Sequence, residues 1–408
     1  MALHILDEAN RCLECKNPTC IKGCPINTPI PEVIKLLKSD RLDEAGRLLF
    51  FNNPLTTICS LICNHEKQCE GHCILAKKGN PVHFSAIESY ISSAYAPKMT
   101  KGPAESNGKK VAIVGSGPAG LTISIILARY GYQVTIFESK DKIGGILRYG
   151  IPEFRLPKKT LDDLQHRHIE LKGIKIRPNI RIGDAIGIED LFRDGYKAVF
   201  IGTGVWKANT LHIKGETLGN VHFAINYLTN PDVYKLGENV TIIGAGNTAI
   251  DVARTAIRNG SRKVTCFSID DTVAASNYEY KYAKLEGVQF EYNRKPLEIS
   301  ENGVLFSKVK KDENGNYVQI KGSEDFYPSD SVIIAVSQGP RNVIVSSTTG
   351  LNVNERGLLV ADEQGKTSRQ GVFASGDVVN GARTVVEAVA HSKIVAESMH
   401  QYMQALED

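Results

Sequence analysis

The sequence predicts an α/β protein: a helical N-terminal domain rich in cysteine, then two Rossmann-like dinucleotide-binding domains, the second inserted within the first. Three observations carry this prediction. Eight of the nine cysteines fall within the first 73 of 408 residues. A strand–glycine turn–helix pattern begins at Gly115 and begins again at Gly244, 129 residues later. Near the C-terminus, Gly371-Val372-Phe373-Ala374-Ser375-Gly376-Asp377 reads as a strand running into another glycine turn, which would return the chain to the first dinucleotide domain. The expected segments are 1–100, 101–225 with 338–408, and the insertion 226–337.

Length and composition bound the rest. A chain of 408 residues exceeds one ordinary core. Hydrophobic content of 42%, charged content of 23% and 36 glycines describe a globular protein with many tight turns. The net charge of +4 is scattered and argues for neither a nucleic-acid nor a membrane-surface partner. The start, Met1 to Glu8, lacks the basic and apolar stretches of a signal peptide, and no apolar run is long enough to span a bilayer. A reducing cytoplasm is therefore expected, where clustered cysteines bind metal more often than they form disulfides.

The cysteines form two runs, Cys12-x2-Cys15-x4-Cys20-x3-Cys24-Pro25 and Cys59-x3-Cys63-x5-Cys69-x3-Cys73. A run ending in Cys-Pro points to iron–sulfur clusters, since its last cysteine often serves a second cluster. Zinc is the alternative, although separations of four and five residues suit one tetrahedral ion less well. Between the runs, Ile30 to Leu37 opens with a proline and has helical apolar spacing. Lys101 to Gly108 reads as a linker, and Lys109 to Val114 as a buried parallel strand.

Gly115-x-Gly117-x-x-Gly120 follows that strand and opens an apolar helix. The three glycines serve a tight turn, close approach of backbone to a diphosphate, and helix–strand contact, and the helix N-terminus favours the phosphate charge. Glu138, at the end of Val134 to Phe137, stands where a carboxylate accepts from ribose hydroxyls. In the second pattern Val240 to Ile243 leads into Gly244-Ala245-Gly246-Asn247-Thr248-Ala249, and Ser268 falls opposite Glu138. The next residues, Ile269-Asp270-Asp271, include no arginine or lysine to meet a 2′-phosphate. The expected nucleotide is therefore NADH rather than NADPH; a merely solvated acidic turn is the alternative reading. Two sites imply two cofactors, one tightly held and one exchanging.

The run Gly144-Gly145-Ile146-Leu147-Arg148-Tyr149-Gly150-Ile151-Pro152-Glu153-Phe154-Arg155-Leu156-Pro157 resembles the signature of the glutamate synthase small-subunit family, which also takes in the flavin half of dihydropyrimidine dehydrogenase. Asn247 to Ala256 is similar to that family's second dinucleotide motif. The resemblance implies two [4Fe–4S] clusters with crossed ligation, one on Cys12, Cys15, Cys20 and Cys73, the other on Cys24, Cys63, Cys69 and Glu88, with Cys59 spare. For FAD it implies Gly115, Gly117, Pro118, Ala119 and Gly120 at the diphosphate and Glu138 at the ribose. Gly145, Ile146 and Arg155 would lie along the flavin, with Gly376, Asp377 and Thr384 reached from the C-terminal segment. For the nicotinamide nucleotide it implies Gly244, Gly246, Asn247 and Thr248 at the phosphates, with Ala335, Val336 and Ser337 over the nicotinamide side. The family's usual arginine pair is missing at Ile269 and Asp270.

The implied activity is electron input. Hydride from the nicotinamide would reduce FAD, and the clusters would carry single electrons to a larger catalytic partner subunit. No residue is assigned as a catalytic acid or base, because hydride transfer requires alignment more than proton transfer. The alternatives are the NAD-dependent flavin subunit of a dihydropyrimidine dehydrogenase, the large subunit of a bifurcating transhydrogenase, and a redox-sensing module without turnover.

Overall fold

Residues 4–99 and 102–406 are described by the computed structural model; Met1 to Leu3 of the N-terminal stretch and Lys101 of the linker lie outside the described residues. The chain forms two compact units. One takes the residues up to Leu147, Glu153–Val205 and everything from Pro340; the other takes Arg148–Pro152 and Trp206–Gly339.

The first unit begins with helices. Pro31 sits in the first turn of Ile30–Lys38, where its missing N–H costs no hydrogen bond. Val33, Ile34 and Leu37 of that helix meet Ala45 and Leu49 of Leu42–Asn52 and Ile87 and Ile91 of Phe84–Tyr95 in one apolar cluster, with Cys12, Cys20, Cys24 and Cys73 on its border. The same unit holds a five-stranded parallel sheet in the order Val372–Ala374, Tyr196–Ile201, Lys110–Val114, Gln133–Phe137, Lys175–Arg177. Lys110–Val114 and Gln133–Phe137 are each exposed at the first residue and buried at the next four, the pattern of strands covered on both faces. The C-terminal strand Val372–Ala374 pairs with Tyr196–Ile201, so the chain does return to its first sheet. Arg129, ending the Pro118–Arg129 helix, donates to the Phe50 carbonyl at 2.8 Å, and Lys393 donates to Asn52 at 2.8 Å. These bonds, with Phe50 stacked on His168 at 5.0 Å, fasten the helical segment to the sheet segment.

The second unit repeats the architecture. Its parallel sheet runs Val221–Phe223, Ser331–Ile334, Asn239–Ile243, Lys263–Phe267, Gln289–Glu291. An antiparallel group, Arg294–Ser300 with Gly303–Lys311, Tyr317–Gln319 and Asp325–Pro328, is appended to it. Phe267 stacks on Phe306 at 4.1 Å between the two sheets. The Val221–Phe223 strand puts residues ahead of 226 in this unit, and Arg148–Pro152, from the middle of the signature run, belong to it as well. Among the described residues no helix is long and apolar enough to cross a membrane.

Candidate functional site

The cysteines occupy loops and helix ends. Cys12 follows Ile5–Asn10, Cys20 lies in Thr19–Lys22, Cys63 caps the C-terminus of Thr56–Ile62, and Cys73 precedes the turn Ile74–Lys78. Two ties bring the runs together. The Thr19 hydroxyl donates to the His72 carbonyl at 2.5 Å, and Arg11 donates to the carbonyls of Asn80 (2.6 Å) and Pro81 (3.0 Å). Gly23 permits the approach, because a Cβ there would lie 2.4 Å from the His72 ring; Gly71 lets the second run fold on itself, its Cβ position 1.9 Å from the Glu66 carbonyl.

Cys12, Cys15, Cys20 and Cys73 line one cavity, together with Cys69, Leu13, Ile34 and Phe84. Burial pushes the Cys20 thiol up to about 11, and neighbouring thiols add to the shift. The second set is equally close-knit. Burial pushes the Cys69 thiol up, with Glu88 and Cys24 among the neighbours that raise it further. Glu88 is buried on Phe84–Tyr95, and its Oε1 accepts from the Thr56 hydroxyl at 2.6 Å. Burial raises its carboxyl to about 7 against that hydrogen bond. It is therefore not a solvated helix carboxylate. Thiols this hard to ionise are ill suited to standing free, and an electrophilic centre that takes the thiolate removes the difficulty. Among the described residues no three His, Cys, Asp or Glu side chains converge on a point that could hold one metal ion.

The two glycine turns are built alike. Gly115 and Gly244 have φ of +99° and +128°, and an added Cβ would strike the Gly202 carbonyl at 2.6 Å and the Ala335 carbonyl at 2.4 Å respectively. Gly117 and Gly246 cap the helices Pro118–Arg129 and Asn247–Arg258, and neither glycine would offer an added Cβ a neighbour within 4 Å. That open ground lies at the helix N-terminus, where a diphosphate binds backbone N–H groups. Gly120 is closed by contrast, its Cβ position 2.0 Å from the Gly115 carbonyl; Ala249, wholly buried, takes the corresponding place in the second unit. The turns therefore fit a dinucleotide diphosphate at each helix.

In the first unit, Glu138 accepts from the Ser116 N–H (2.9 Å) and hydroxyl, and through its other oxygen from the Lys140 N–H (2.8 Å). Ser116, the variable residue of the glycine motif, had no signal in the sequence. Gly145 comes so near Gly117 that a Cβ would lie 2.8 Å from the Gly117 Cα. A Cβ on Gly376 would lie 3.0 Å from that of Ala119, so the C-terminal segment does reach the first glycine turn. Ile146 heads the short helix Ile146–Tyr149, and Arg155 lies half-buried in the turn before Lys158–Leu164. Asp377 accepts from the Arg383 N–H at 3.2 Å, and burial raises its carboxyl to about 6. Thr384 caps Val385–Gln404 in a reciprocal box with Glu387, which occupies its hydroxyl.

In the second unit, Asn247 uses its carboxamide oxygen to accept from the Ser276 N–H at 3.0 Å, tying the glycine turn to the start of Asn277–Leu285. Thr248 follows it on the first turn of the helix. Ala335 donates to the Ile243 carbonyl at 2.8 Å, the Val336 carbonyl accepts from the Asn209 side chain at 3.3 Å, and Ser337 is left-handed with φ +72°. The loop after Lys263–Phe267 copies its counterpart bond for bond. Glu138 N–H to Arg177, Ile180 N–H to Glu138 and Asn179 N–H to Lys140 recur as Ser268 to Glu291, Arg294 to Ser268 and Asn293 to Asp270, at 2.8 to 3.1 Å. Asn179 and Asn293 are both left-handed. Ser268 thus stands in the place of Glu138, and Asp270 in that of Lys140. The segment is not left without a cation: Lys311 reaches in from Gly303–Lys311, its Nζ 2.6 Å from Asp270.

Comparison with known proteins follows the same division. The pyridine nucleotide-disulphide oxidoreductase family matches residues 78–193 and 109–392, and dihydropyrimidine dehydrogenase domain II, 4Fe-4S cluster, matches residues 2–99. The chain is 35% identical to the glutamate synthase (NADPH) small chain of Halomonas elongata, over 97% of this chain and 90% of that one. With the Escherichia coli protein of the same name it shares 32%, over 97% and 91%. It is 32% identical to the NADP(+)-dependent formate dehydrogenase subunit beta of Moorella thermoacetica, over 94% of this chain and 60% of that one. Among solved structures, Mycobacterium tuberculosis FprA in complex with NADPH superposes with a TM-score of 0.62 at 17% identity, covering 72% of this chain and 84% of that one. T. acidophilum thioredoxin reductase superposes with a TM-score of 0.57 at 23% identity, covering 73% of this chain and 100% of that one. The structural likenesses establish the fold alone: an α/β chain with two Rossmann-like halves.

Proposed function

This chain belongs to the glutamate synthase small-chain family of pyridine nucleotide-disulphide oxidoreductases, and on that premise we propose that it is the electron-input subunit of a larger redox complex. FAD accepts a hydride from a reduced nicotinamide, and [4Fe–4S] clusters carry electrons singly, when those groups are bound. In this reading Cys12, Cys15, Cys20 and Cys73 hold one cluster, and Cys24, Cys63, Cys69 and Glu88 the other. The N–H groups at the start of Pro118–Arg129 hold the FAD diphosphate, Glu138 turns to its ribose, and Gly145, Ile146, Arg155, Gly376, Asp377 and Thr384 surround the remainder. Gly244, Gly246, Asn247 and Thr248 hold the phosphates of the nicotinamide nucleotide, with Ala335, Val336 and Ser337 along its nicotinamide side. NADH is the proposed donor, because Asp270 stands where the loop would meet a 2′-phosphate. The partner is a larger catalytic chain, as the names of the small-chain and beta-subunit relatives suggest. The assignment of 1–100, 101–225, 226–337 and 338–408 as separate domains is part of the same proposal.

One observation carries the reading: five thiols drawn from both runs, Cys12, Cys15, Cys20, Cys69 and Cys73, line a single cavity, the first three and Cys73 being the proposed ligands of one cluster and Cys69 belonging to the neighbouring set. Anaerobic purification tests it. Two cubanes' worth of iron and acid-labile sulfide, one FAD, and NADH-driven reduction of a dye are expected. Zinc in place of iron, or a colourless protein, would refute it.

A further inference from the structure

The loop that bears Asp270 holds a charge arrangement that the proposed function does not require. Asp270 Oδ1 receives both the Lys311 ammonium at 2.6 Å and the Tyr317 hydroxyl. The ammonium also lies 5.2 Å from the centre of the Tyr317 ring. The backbone of the loop is fixed independently, by the Asn293 N–H to the Asp270 carbonyl at 3.1 Å and by the Asp270 N–H to the Ser268 hydroxyl at 3.2 Å. The other cation beside the loop, Arg294, is engaged with Glu291 at 3.3 Å and lies against the Tyr327 ring. Asp270 and Lys311 are both substantially exposed, so a nucleotide phosphate could compete for the ammonium.

We propose that Asp270, by holding Lys311, masks a cation that would otherwise bind a 2′-phosphate, so that this pair sets the choice between NAD and NADP. The inference rests on the reading of the second unit as the nicotinamide-nucleotide site. With the pair intact, a 2′-phosphate meets a carboxylate and a cation already neutralised, and like charge repels it. A 2′-hydroxyl carries no charge and meets no such penalty. Asp270→Asn keeps the shape of the side chain and its contact with Tyr317, removes the negative charge and releases Lys311. The structure thereby assigns discrimination to two side chains that stand 41 residues apart in sequence.

The test is equilibrium binding of NAD+ and NADP+ to the full chain by calorimetry, without turnover. Wild type should favour NAD+. Asp270→Asn should tighten NADP+ at least tenfold, leave NAD+ within about twofold, and lose the gain at high salt. Adding Lys311→Gln to Asp270→Asn should cancel the gain, whereas Lys311→Gln alone should weaken NADP+ further. An unchanged NADP+ to NAD+ ratio in Asp270→Asn, or a gain that survives Lys311→Gln, would overturn the proposal while leaving the nucleotide site standing. Failure of wild type and variant alike to bind either nucleotide would overturn the nucleotide-site reading, and the mask with it.

Discussion

Arg254 offers the most direct physical test of how the second unit holds its glycine turn. Its side chain is 8% exposed and forks between Glu279 at 2.5 Å and Glu286 at 2.8 Å, both from the segment that starts at Ser276. Arg254→Ala removes one partner of a buried network, a loss of about 3–5 kcal/mol when a charge is left uncompensated. Glu286 keeps Arg258 at 2.6 Å, so the network is weakened rather than abolished, and the low end, about 3 kcal/mol, is the expected cost. At about 4 °C per kcal/mol for a unit of this size, the melting transition should fall by about 12 °C in scanning calorimetry. Burial pulls the Glu286 carboxyl up, but Arg254 and Arg258 outweigh it and hold its pKa below the ordinary 4.5. That contribution is therefore present above pH 4.5 and lost as pH falls through the lower folded value, and the acid limb should flatten in the variant. Arg254→Lys should recover only part of the loss, since an ammonium lacks the planar fork. Nucleotide binding should weaken alongside, because Asn247 ties the glycine turn to the same helix. A loss below about 1 kcal/mol, or full rescue by lysine, would refute the reasoning.

Three further outcomes are expected. Gly120→Ala places a methyl group where only 2.0 Å separates it from the Gly115 carbonyl, so the purified variant should lack FAD by absorbance and lose about 1–3 kcal/mol of stability. Glu88→Ala should lower iron content and change the low-temperature magnetic resonance spectrum, while the cluster proposed on Cys12, Cys15, Cys20 and Cys73 persists; an unchanged spectrum would remove Glu88 from the proposed ligand set. Burial, with Arg129 and other cations nearby, lowers His168 from 6.5 to about 4, so the unfolded chain takes up a proton that the folded one refuses. Stability of the first unit should then decline as pH drops from 6.5 toward 4, by up to about 3 kcal/mol, and His168→Phe should abolish that slope in pH-dependent denaturation.

Much of this architecture is legible in the sequence because it is written in local patterns. The two strand–glycine–helix units, the strand and glycine turn from Val372 to Gly376 and the proline-started helix at Ile30 all depend on residues a few positions apart. The proposed site is less legible where it depends on distance. Thr56 binds Glu88 across 32 positions, and Lys311 meets Asp270 across 41, and neither lies in a motif. Reading Ile269 to Asp271 as a stretch without a cation was correct for the stretch and incomplete for the space around it. The expected insertion starts at 226, ahead of the glycine motif at Gly244, yet Val221–Phe223 pairs in parallel with Ser331–Ile334, a partner more than a hundred positions away that no local pattern announces.

The clasp between Thr19 and His72, spanning 53 positions, has a consequence for synthesis. Translation at about 5–20 residues per second leaves Cys12 to Cys24 outside the ribosome for several seconds before Cys73 and the helix of Glu88 emerge. Throughout that interval the early thiols have no wall to pack against. In the proposed cluster assignment, whatever delivers iron and sulfide must therefore act on a nascent chain that is held open, or wait until the later half of the pocket arrives. A ribosome stalled between these two points would leave a sulfhydryl-rich stub, open to oxidants and to stray metal ions.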